Sequence, residues 1–352
     1  MTTVLILYGG RSSEHEVSCL SAHSVLEALD RQRWDVLTVG ITRDGRWTLT
    51  DGKIVAPAGR PLPEVDEDGP TVGLVGTRSG PRLVQLDEEA GTATVVGEPG
   101  IAFPVLHGPF GEDGTVQGLF DSVGLPYVGA DVTASSIGID KAAMKAAFAA
   151  AGLPQGDYRT VERRAWARDA AGVRADLASM PLPWFSKPAR QGSSIGIRKV
   201  ASEDDLAEAL EEAFGYDEVA VVEQGLDRPR ELEVGVLGKD EIAVTPPGEI
   251  RPSHDFYDFE AKYLDESELV VPAELPDGTA EEAKDLAARA YRAIGCRGMA
   301  RVDLFLDGDR LLVNEINTIP GFTPNSMFPR LWDAEGLSYP ALIDRLLEAA
   351  RS

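Results

Sequence analysis

The chain lacks the features that mark secreted, membrane-spanning and nucleic-acid-binding proteins. Its 352 residues include two cysteines, Cys19 and Cys296, without Cys-x-x-Cys spacing, which disfavours a disulfide framework and a zinc site. No run reaches the roughly 18 apolar residues of a membrane span, and the start, "MTTVLILYGG", has no basic leader. A net charge of −24 disfavours nucleic acid, because phosphate binding needs a basic face. We expect a cytoplasmic protein with no membrane or nucleic-acid partner.

Apolar runs and glycine turns predict an α/β protein. The strand "TVLILYGG" precedes a helix over "SSEHEVSCLSAHSVLEALD", with Ser12 or Ser13 as its N-cap, and a second strand, "WDVLTVGIT". This βαβ unit predicts a parallel sheet. Residues 51–100 predict short hairpins and loops. We expect three domains, which cover residues 1–130, 131–226 and 227–352.

The middle of the chain combines a predicted helix with a loop of small residues. "DVTASSIGIDKAAMKAAFAAAGLP" predicts one Ala-rich helix that stops at Gly-Leu-Pro, and a second βαβ pattern begins near "WFSKPARQGSSIGIRKV". The Gly/Ser loop in that segment lets backbone N–H groups approach a phosphate. It is not a P-loop, and a plain turn is the alternative.

Three polar residues, Asp303, Glu315 and Asn317, lie within a predicted hairpin, "ARVDLFLDGDRLLVNEIN". Glu315 and Asn317 share a strand face. A strict two-residue turn puts Asp303 on the opposite face, whereas a three-residue loop or a bulge pairs Asp303 with Glu315. In the second register, carboxylate and amide oxygens suit Mg²⁺. A solvated hairpin edge is the alternative, and Asn314 is expected to point away from the cation.

Isolated polar residues allow two interpretations each. Lys141 and Lys145 would normally lie on the surface, whereas Lys187 ends an apolar strand and needs a counter-charge, which a phosphate would supply. His107 ends a buried strand at a glycine turn, where it faces a ligand or serves the structure. The segment "DFYDFEAKYLD" is either a lid over a polar ligand or a packing loop.

Seven motifs occur in the order and at about the spacing of D-alanine–D-alanine ligases. They are "GGRSSEHEVS", "HGPFGEDGTVQG", "GIDK", "KPARQGSSIGI", "EAKYL", "RVDLF" and "NEINTIPGFTPNSMFP". The chain therefore resembles that family, which belongs to the ATP-grasp superfamily. The resemblance implies a three-domain ATP-grasp fold, in which an N-terminal parallel-sheet domain precedes two domains that grip ATP. It covers nearly the whole chain except residues 45–100.

The resemblance also implies the reaction. ATP phosphorylates the carboxylate of one D-alanine, and the amine of a second D-alanine attacks the acyl phosphate to give D-alanyl-D-alanine for peptidoglycan precursors. The implied metal is Mg²⁺ or Mn²⁺, with two ions, held by Asp303, Glu315 and Asn317. The family usually forms homodimers.

The residues implied for the nucleotide match the family's ATP-binding positions. They are Lys141, Lys187, Gly192, Ser193, Ser194, Glu223, Gln224, Leu226, Glu231, Lys262, Phe305, Asn314 and Glu315. The lysines match phosphate-binding positions, Glu223 through Leu226 match the adenine hinge, and Glu231 matches the acid on the ribose. Gln224 departs from the lysine of several relatives.

The residues implied for the amino acids match two subsites. They are Glu14, His107, Tyr257, Arg301, Gly321, Ser326 and Met327 for binding, with Glu14, Ser193, Tyr263, Arg301, Gly321 and His107 for catalysis. Arg301 and the Gly321 N–H resemble an oxyanion-stabilising pair. Tyr263 in a "KY" pattern argues for an amine nucleophile over D-lactate, but D-serine remains open as second substrate.

Two other functions compete with the ligase. An ATP-grasp enzyme acting on a different carboxylate would share the ATP-side residues, so Glu14, Tyr263 and Ser326 discriminate. A non-catalytic nucleotide-binding protein would be expected to lack a metal ligand or Arg301, and this sequence has all of them.

Overall fold

A computed structural model describes residues 1–54, 56, 62–251 and 268–351. This part of the chain forms a mixed α/β fold whose strands lie in four sheets. None of the helices described is long and apolar enough to cross a membrane.

The first unit is built around a parallel sheet. Its elements are β1 (Thr2–Gly9), α1 (His15–Ala28), β2 (Trp34–Ile41), β3 (Trp47–Thr50), β4 (Val72–Thr77), β5 (Gly80–Asp87), β6 (Thr92–Gly97), β7 (Ile101–Pro104) and α2 (Thr115–Val123). Strands β2 and β7 flank β1 in parallel, which confirms the βαβ prediction. Strands β4, β5 and β6 form a separate antiparallel sheet, which confirms the predicted hairpins.

The start of α1 differs from the prediction. Its N-cap is Glu14 rather than Ser12 or Ser13, and no side chain caps the helix. Ser12 instead accepts a hydrogen bond from the Glu14 backbone N–H at 2.9 Å. The serine therefore shapes the turn after β1 and leaves the Glu14 carboxylate for other partners.

The Ala-rich segment forms two helices, α3 (Val132–Ile139) and α4 (Lys141–Ala150), so the prediction of one helix was wrong. Asp140 between them leaves the helical conformation, with φ −85° and ψ 99°. Its side chain accepts hydrogen bonds from the N–H groups of Ala142 and Ala143, at 3.0 and 3.1 Å. An aspartate in this position is a strong N-cap, and it starts a new helix at Lys141.

The second unit is antiparallel. It contains β8 (Tyr158–Glu162), α5 (Arg163–Arg168), α6 (Ala170–Leu177), β9 (Trp184–Pro188), β10 (Arg198–Val200), a 3₁₀ turn (Glu203–Asp205), α7 (Leu206–Phe214) and β11 (Val219–Gln224). The sheet order is β10-β9-β11-β8, and every pair is antiparallel. The predicted second βαβ unit was wrong, because the loop after β9 reverses the chain into a hairpin before α7.

The third unit completes the fold. It contains β12 (Arg230–Gly238), β13 (Ile242–Val244), β14 (Gly248–Arg251), β15 (Glu268–Val270), α8 (Thr279–Ala293), β16 (Gly298–Asp307), β17 (Arg310–Asn317), α9 (Met327–Ala334) and α10 (Tyr339–Arg351). Its antiparallel sheet has the order β15-β14-β12-β16-β17, with β13 also paired to β12.

The hydrophobic cores cross the predicted domain boundaries. Phe322, which follows β17, packs edge-on against Phe103 of β7, with ring centroids 5.6 Å apart. Leu342 and Leu346 of α10 belong to the same buried cluster as Val4 and Ile6 of β1. The C-terminal helices therefore pack against the first sheet, and the division at residues 130 and 226 stays a prediction.

Candidate active site

One face of the third sheet is polar and its other face is core. Leu232, Val302, Leu304 and Ile316 point into a buried apolar cluster. Because side chains alternate along a strand, the neighbouring residues point to the opposite face. These are Glu231 and Glu233 of β12, Arg301, Asp303 and Phe305 of β16, and Glu315 and Asn317 of β17.

The register of the β16–β17 hairpin places Asp303 opposite Glu315. Asp307 pairs with Arg310 around a two-residue turn, and Leu304 pairs with Val313. The register then shifts by one residue, which leaves Asn314 as the extra residue of a bulge, and Asp303 pairs with Glu315. The predicted register is confirmed: a bulge compensates for the two-residue turn. Because Asn314 is the extra residue, strand alternation does not determine its direction.

Arg301 lies among three carboxylates. Its guanidinium donates to Asp303 through Nε at 2.7 Å and Nη2 at 2.6 Å, and Nε lies 3.0 Å from Glu233 Oε2. Asn317 Nδ2 donates to Asp303 Oδ2 at 3.0 Å. Glu233 pairs with Asp303 on one side and Glu315 pairs with it on the other. Three acids against one guanidinium leave an excess of two negative charges around Arg301, and Glu231 adds a third on this face.

The donor chemistry of this face fits a hard divalent cation. Asp303, Glu315 and Asn317 offer carboxylate and amide oxygens, the ligands that Mg²⁺ prefers. Among the residues described, no three His, Cys, Asp or Glu side chains gather as a metal cluster. A cation here would therefore rest on two acids and an amide, with further oxygens from its substrate.

A buried ion triad lies in the second sheet. Glu223 of β11 accepts from Lys187 of β9, with Nζ 2.5 Å from Oε2, and from Lys145 of α4, with Nζ 2.9 Å from Oε1. Lys145 is only 2% exposed, so the expectation that it lies on the surface was wrong. Lys187 has its counter-charge within the protein, in Glu223, and its binding of a phosphate stays a prediction.

Electrostatics connect the triad to the third sheet. Burial alone would lower the pKa of Lys187, but Glu223, Glu315 and Glu231 raise it above its ordinary value. Glu315 and Glu231 belong to the polar face of the third sheet. Charges of the third sheet therefore act on Lys187 in addition to its own partner Glu223.

The loop between β9 and β10 is held by the side chain and the backbone of Lys141. Lys141 Nζ donates to the Gln191 carbonyl at 2.6 Å, and the Lys141 backbone N–H donates to Ala189. Ser193 and Ser194 adopt positive φ angles of 47° and 59°, which non-glycine residues rarely do. Such strained backbone is typical of ligand-binding loops.

Glu14 joins the first unit to this loop. The Ser193 hydroxyl donates to Glu14 Oε1. A Cβ on Gly108 or on Gly192 would lie 2.8 Å from Glu14 Oε2, so a larger residue at either position would require the Glu14 carboxylate to move. The Glu14 carboxylate is therefore enclosed by residues from the first and second units.

His107 is tied into the protein through both ring nitrogens. Nε2 lies 3.1 Å from the Ser21 hydroxyl, and Nδ1 lies 3.1 Å from the Ile319 carbonyl and 3.5 Å from Glu112. Burial alone would lower its pKa, but Glu112 and Glu14 raise the pKa of His107 above its ordinary value. Burial, with the charge of Glu14, raises the pKa of Glu112 to about 7. His107 and Glu112 therefore form a buried pair whose charges act on each other.

The segment after β17 brings Gly321 beside Ser326. A Cβ on Gly321 would lie 3.2 Å from Ser326 Oγ. That hydroxyl accepts from the Thr323 N–H at 3.2 Å and lies 2.9 Å from the Thr323 hydroxyl. Met327, by contrast, packs in a buried cluster with Ile250 and Leu331.

The hinge residues end β11, next to the triad. The Gln224 N–H donates to the Asp157 carbonyl at 2.9 Å and the Gly225 N–H donates to Pro183 at 2.7 Å, and Leu226 is half-buried. Tyr257, Lys262 and Tyr263 lie outside the described residues, as does His254.

Sequence reasoning missed Lys145, Glu233 and Glu112. Lys145 follows Lys141 by four residues on a helix, which places the two on one side. Glu233 follows Glu231 by two residues on a strand, which places them on one face. These spacings were visible in the sequence, but the partners were not. Glu112 had no such signal.

The chain is similar to known families, curated proteins and solved structures. A family model described as D-ala D-ala ligase N-terminus matches residues 3–130, and one described as D-ala D-ala ligase C-terminus matches residues 147–348. The chain is 46% identical to the D-alanine–D-alanine ligase of Streptomyces griseus, with 99% of this chain and 92% of that protein covered.

Two solved structures share the fold. The D-alanine–D-alanine ligase of Coxiella burnetii gives a TM-score of 0.83 at 31% identity and covers 99% of this chain and 94% of its own. The VanG D-Ala:D-Ser ligase of Enterococcus faecalis gives a TM-score of 0.84 at 32% identity and covers 99% of both chains.

The triad predicts how acid affects stability. Burial alone would raise the pKa of Glu223, but Lys145 and Lys187 lower it to about 2. The folded pKa lies below the unfolded value, so this stabilisation is present above pH about 4.5 and is lost as the pH falls towards 2. We expect Glu223→Gln to lower the free energy of unfolding by about 3 kcal/mol near neutral pH, because two buried lysines lose their partner.

Urea unfolding of the wild-type protein and of Glu223→Gln, from pH 7 down to pH 4 or below, measures the difference in their free energies of unfolding. It should shrink as the pH falls below about 4.5. Glu218→Gln is the control, because its side chain is 75% exposed and its change should stay within about 0.5 kcal/mol. A difference that grows on acidification would contradict the assignment.

Proposed function

Because the chain belongs to the D-alanine–D-alanine ligase family, we propose that it uses ATP to join two D-alanine molecules into D-alanyl-D-alanine for peptidoglycan precursors. Similarity along 99% of the chain to a curated ligase supports this most strongly. A carboxylate oxygen of the first D-alanine takes the γ-phosphoryl group, and ADP leaves. The amine of the second D-alanine attacks the acyl carbon and loses a proton, and phosphate leaves.

The proposed nucleotide site lies between the second and third sheets. Lys187 and Lys141, with the backbone of the loop Gly192–Ser194, bind the phosphates. Glu223, Gln224 and Leu226 hold the adenine, with Phe305 lining its pocket, and Glu231 binds the ribose hydroxyls. The support is that Glu231 and Phe305 pair on the same face as Asp303 and Glu315. Lys262 is assigned by resemblance.

Asp303, Glu315 and Asn317 are the proposed ligands of Mg²⁺ or Mn²⁺, with two ions. Bound there, the metal supplies positive charge to the transferring phosphoryl group. Arg301 is proposed to stabilise the oxyanion of the tetrahedral intermediate together with the Gly321 N–H. The support is the contact of Arg301 with Asp303, one of the proposed metal ligands.

The proposed D-alanine subsites use residues of all three units. Glu14 binds the ammonium group of the first D-alanine, with His107 and Glu112 beside it. Ser326 binds the carboxylate of the second, and Ser193 with Tyr263 orients the attacking amine. The bond from Ser193 to Glu14 supports this set, because it ties the phosphate loop to the first subsite.

A homodimer in the cytoplasm is the proposed state of the protein. The large apolar side chains Val75, Leu86 and Val95 in the β4–β6 sheet are 39%, 41% and 55% exposed, and this surface could serve as the interface. Sedimentation velocity at micromolar concentration measures the mass, and a monomer would exclude the dimer. The ATP requirement supports the cytoplasm.

The test of the function measures phosphate release from ATP in the presence of Mg²⁺ and one of D-alanine, D-serine, D-lactate or L-alanine. We expect phosphate release when D-alanine is the only amino acid present, with D-alanyl-D-alanine detected by mass spectrometry. We expect no release with L-alanine. Mixed dipeptide in the reaction with D-alanine plus D-serine would make D-serine a second substrate. Absence of release with D-alanine would overturn the proposal.

Replacement of the metal ligands should stop turnover. We expect Asp303→Asn and Glu315→Gln each to lower kcat about a hundredfold or more, because the transferring phosphoryl group loses charge neutralisation. Asp307→Asn is the matched control, since it lies on the same strand and pairs with Arg310 beside the turn. Phosphate release measures all three, and near-normal rates for Glu315→Gln would exclude the metal assignment.

Replacement of Tyr263 should relax the choice of nucleophile. We expect Tyr263→Phe to raise the yield of ester from D-lactate relative to dipeptide from D-alanine, by about tenfold, because one hydroxyl that orients the amine is lost. Competition between the two substrates, read by mass spectrometry, measures the ratio. An unchanged ratio would remove Tyr263 from the specificity argument.

A further inference from the structure

Glu223 binds two lysines, one on each carboxylate oxygen. Lys187 bonds Oε2 at 2.5 Å and Lys145 bonds Oε1 at 2.9 Å. We infer that Lys145 is a positioning residue: it keeps Glu223 neutralised so that Lys187 is available to a nucleotide phosphate. This inference rests on the proposed function and adds a residue that the resemblance does not assign.

Lys145 is the more deeply buried of the two lysines that bind Glu223. It lies in the middle of α4, where its neighbours Met144 and Phe148 are fully buried, and its own side chain is 3% exposed. Its ammonium lies 5.3 Å from the centre of the Tyr158 ring, a cation–π contact on β8. A lysine this deeply buried is costly without an acid beside it. Lys145 and Glu223 therefore form a buried ion pair that belongs to the protein core.

Lys187 is the more exposed of the two lysines, and it is the one proposed to bind the nucleotide. Its side chain is 13% exposed, more than four times the fraction of Lys145. Glu315 and Glu231, on the polar face of the third sheet, also raise its pKa. A lysine in this position can turn its ammonium from Glu223 to an anion that enters between the sheets, because its flexible stem carries three rotatable donors.

The charge balance explains why two lysines are needed. Two ammonium groups and one carboxylate leave one positive charge, which can act on a phosphate. Without Lys145, Glu223 and Lys187 would neutralise each other, and a phosphate would have to break that buried pair to gain Lys187. Lys145 thus acts on the nucleotide through Glu223 and Lys187.

The test compares ATP with adenosine, which has no phosphate. We expect Lys145→Met to raise the Kd of ATP about tenfold or more, the cost of one charge-assisted hydrogen bond. The inhibition constant of adenosine against ATP should change less than about threefold, because the adenine contacts stay in place. Lys145→Arg, which keeps the charge, should restore most of the ATP affinity.

A second comparison removes the acid that Lys145 neutralises. In the Glu223→Gln background, Lys145→Met should change ATP affinity less than about threefold, because residue 223 no longer carries a charge that captures Lys187. This background also replaces a buried charge by an amide, so it gives a result if Lys145→Met alone does not fold.

Two results would overturn the inference. One is equal weakening of ATP and adenosine by Lys145→Met, which would make the effect a distortion of the adenine pocket. The other is a tenfold loss of ATP affinity from Lys145→Met in the Glu223→Gln background, which would mean that Lys145 contacts the nucleotide itself. Failure of the wild-type protein to bind ATP would contradict the proposed function instead.

Discussion

The pairing of Asp303 with Glu315 across the β16–β17 hairpin is the constraint on which the site depends. A one-residue change of register would turn one of these acids from the cleft into the apolar core, since strand side chains alternate. The bulge at Asn314 permits a tight two-residue turn and the required pairing at once. It also places Arg301 opposite Asn317, so one hairpin presents all four polar side chains together.

Three charged groups of the candidate site already have a partner within the protein. Arg301 bonds Asp303, Lys187 bonds Glu223, and Ser193 bonds Glu14. Buried charges would be costly otherwise. These bonds hold the side chains near the positions proposed for catalysis, and each can be exchanged for a bond to a substrate or a cation. If these residues bind substrate as proposed, binding exchanges one partner for another and uncovers no charge.

The site is assembled from all three units. Ser193 reaches Glu14 from the second unit to the first, and His107 of the first bonds the Ile319 carbonyl of the third. Phe322 packs on Phe103, so the segment with Gly321 is anchored on the first sheet. A hydrophobic core shared between the units holds these loops in fixed positions relative to one another.

Local patterns in the sequence were enough for much of the fold and for the register hypothesis. Strand alternation identified the acids of β16 and β17, glycine and apolar spacing identified the first βαβ unit, and motif order identified the family. Two local predictions failed where a single residue acts as a cap: Asp140 divides a helix, and Glu14 replaces the serines. The antiparallel second sheet was missed because a hairpin and a crossover connection look alike when only strand and helix lengths are read.

The sequence by itself determined which residue types lie on which strand face, because alternation and helical spacing are local properties of the backbone. Only the tertiary structure decided which charge neutralises which. Lys145 and Glu223 lie far apart in the chain, and so do Glu14 and Ser193, so their pairing depends on how separate sheets and helices pack. For the same reason Lys145, which resembles a surface lysine in the sequence, became a buried part of the site.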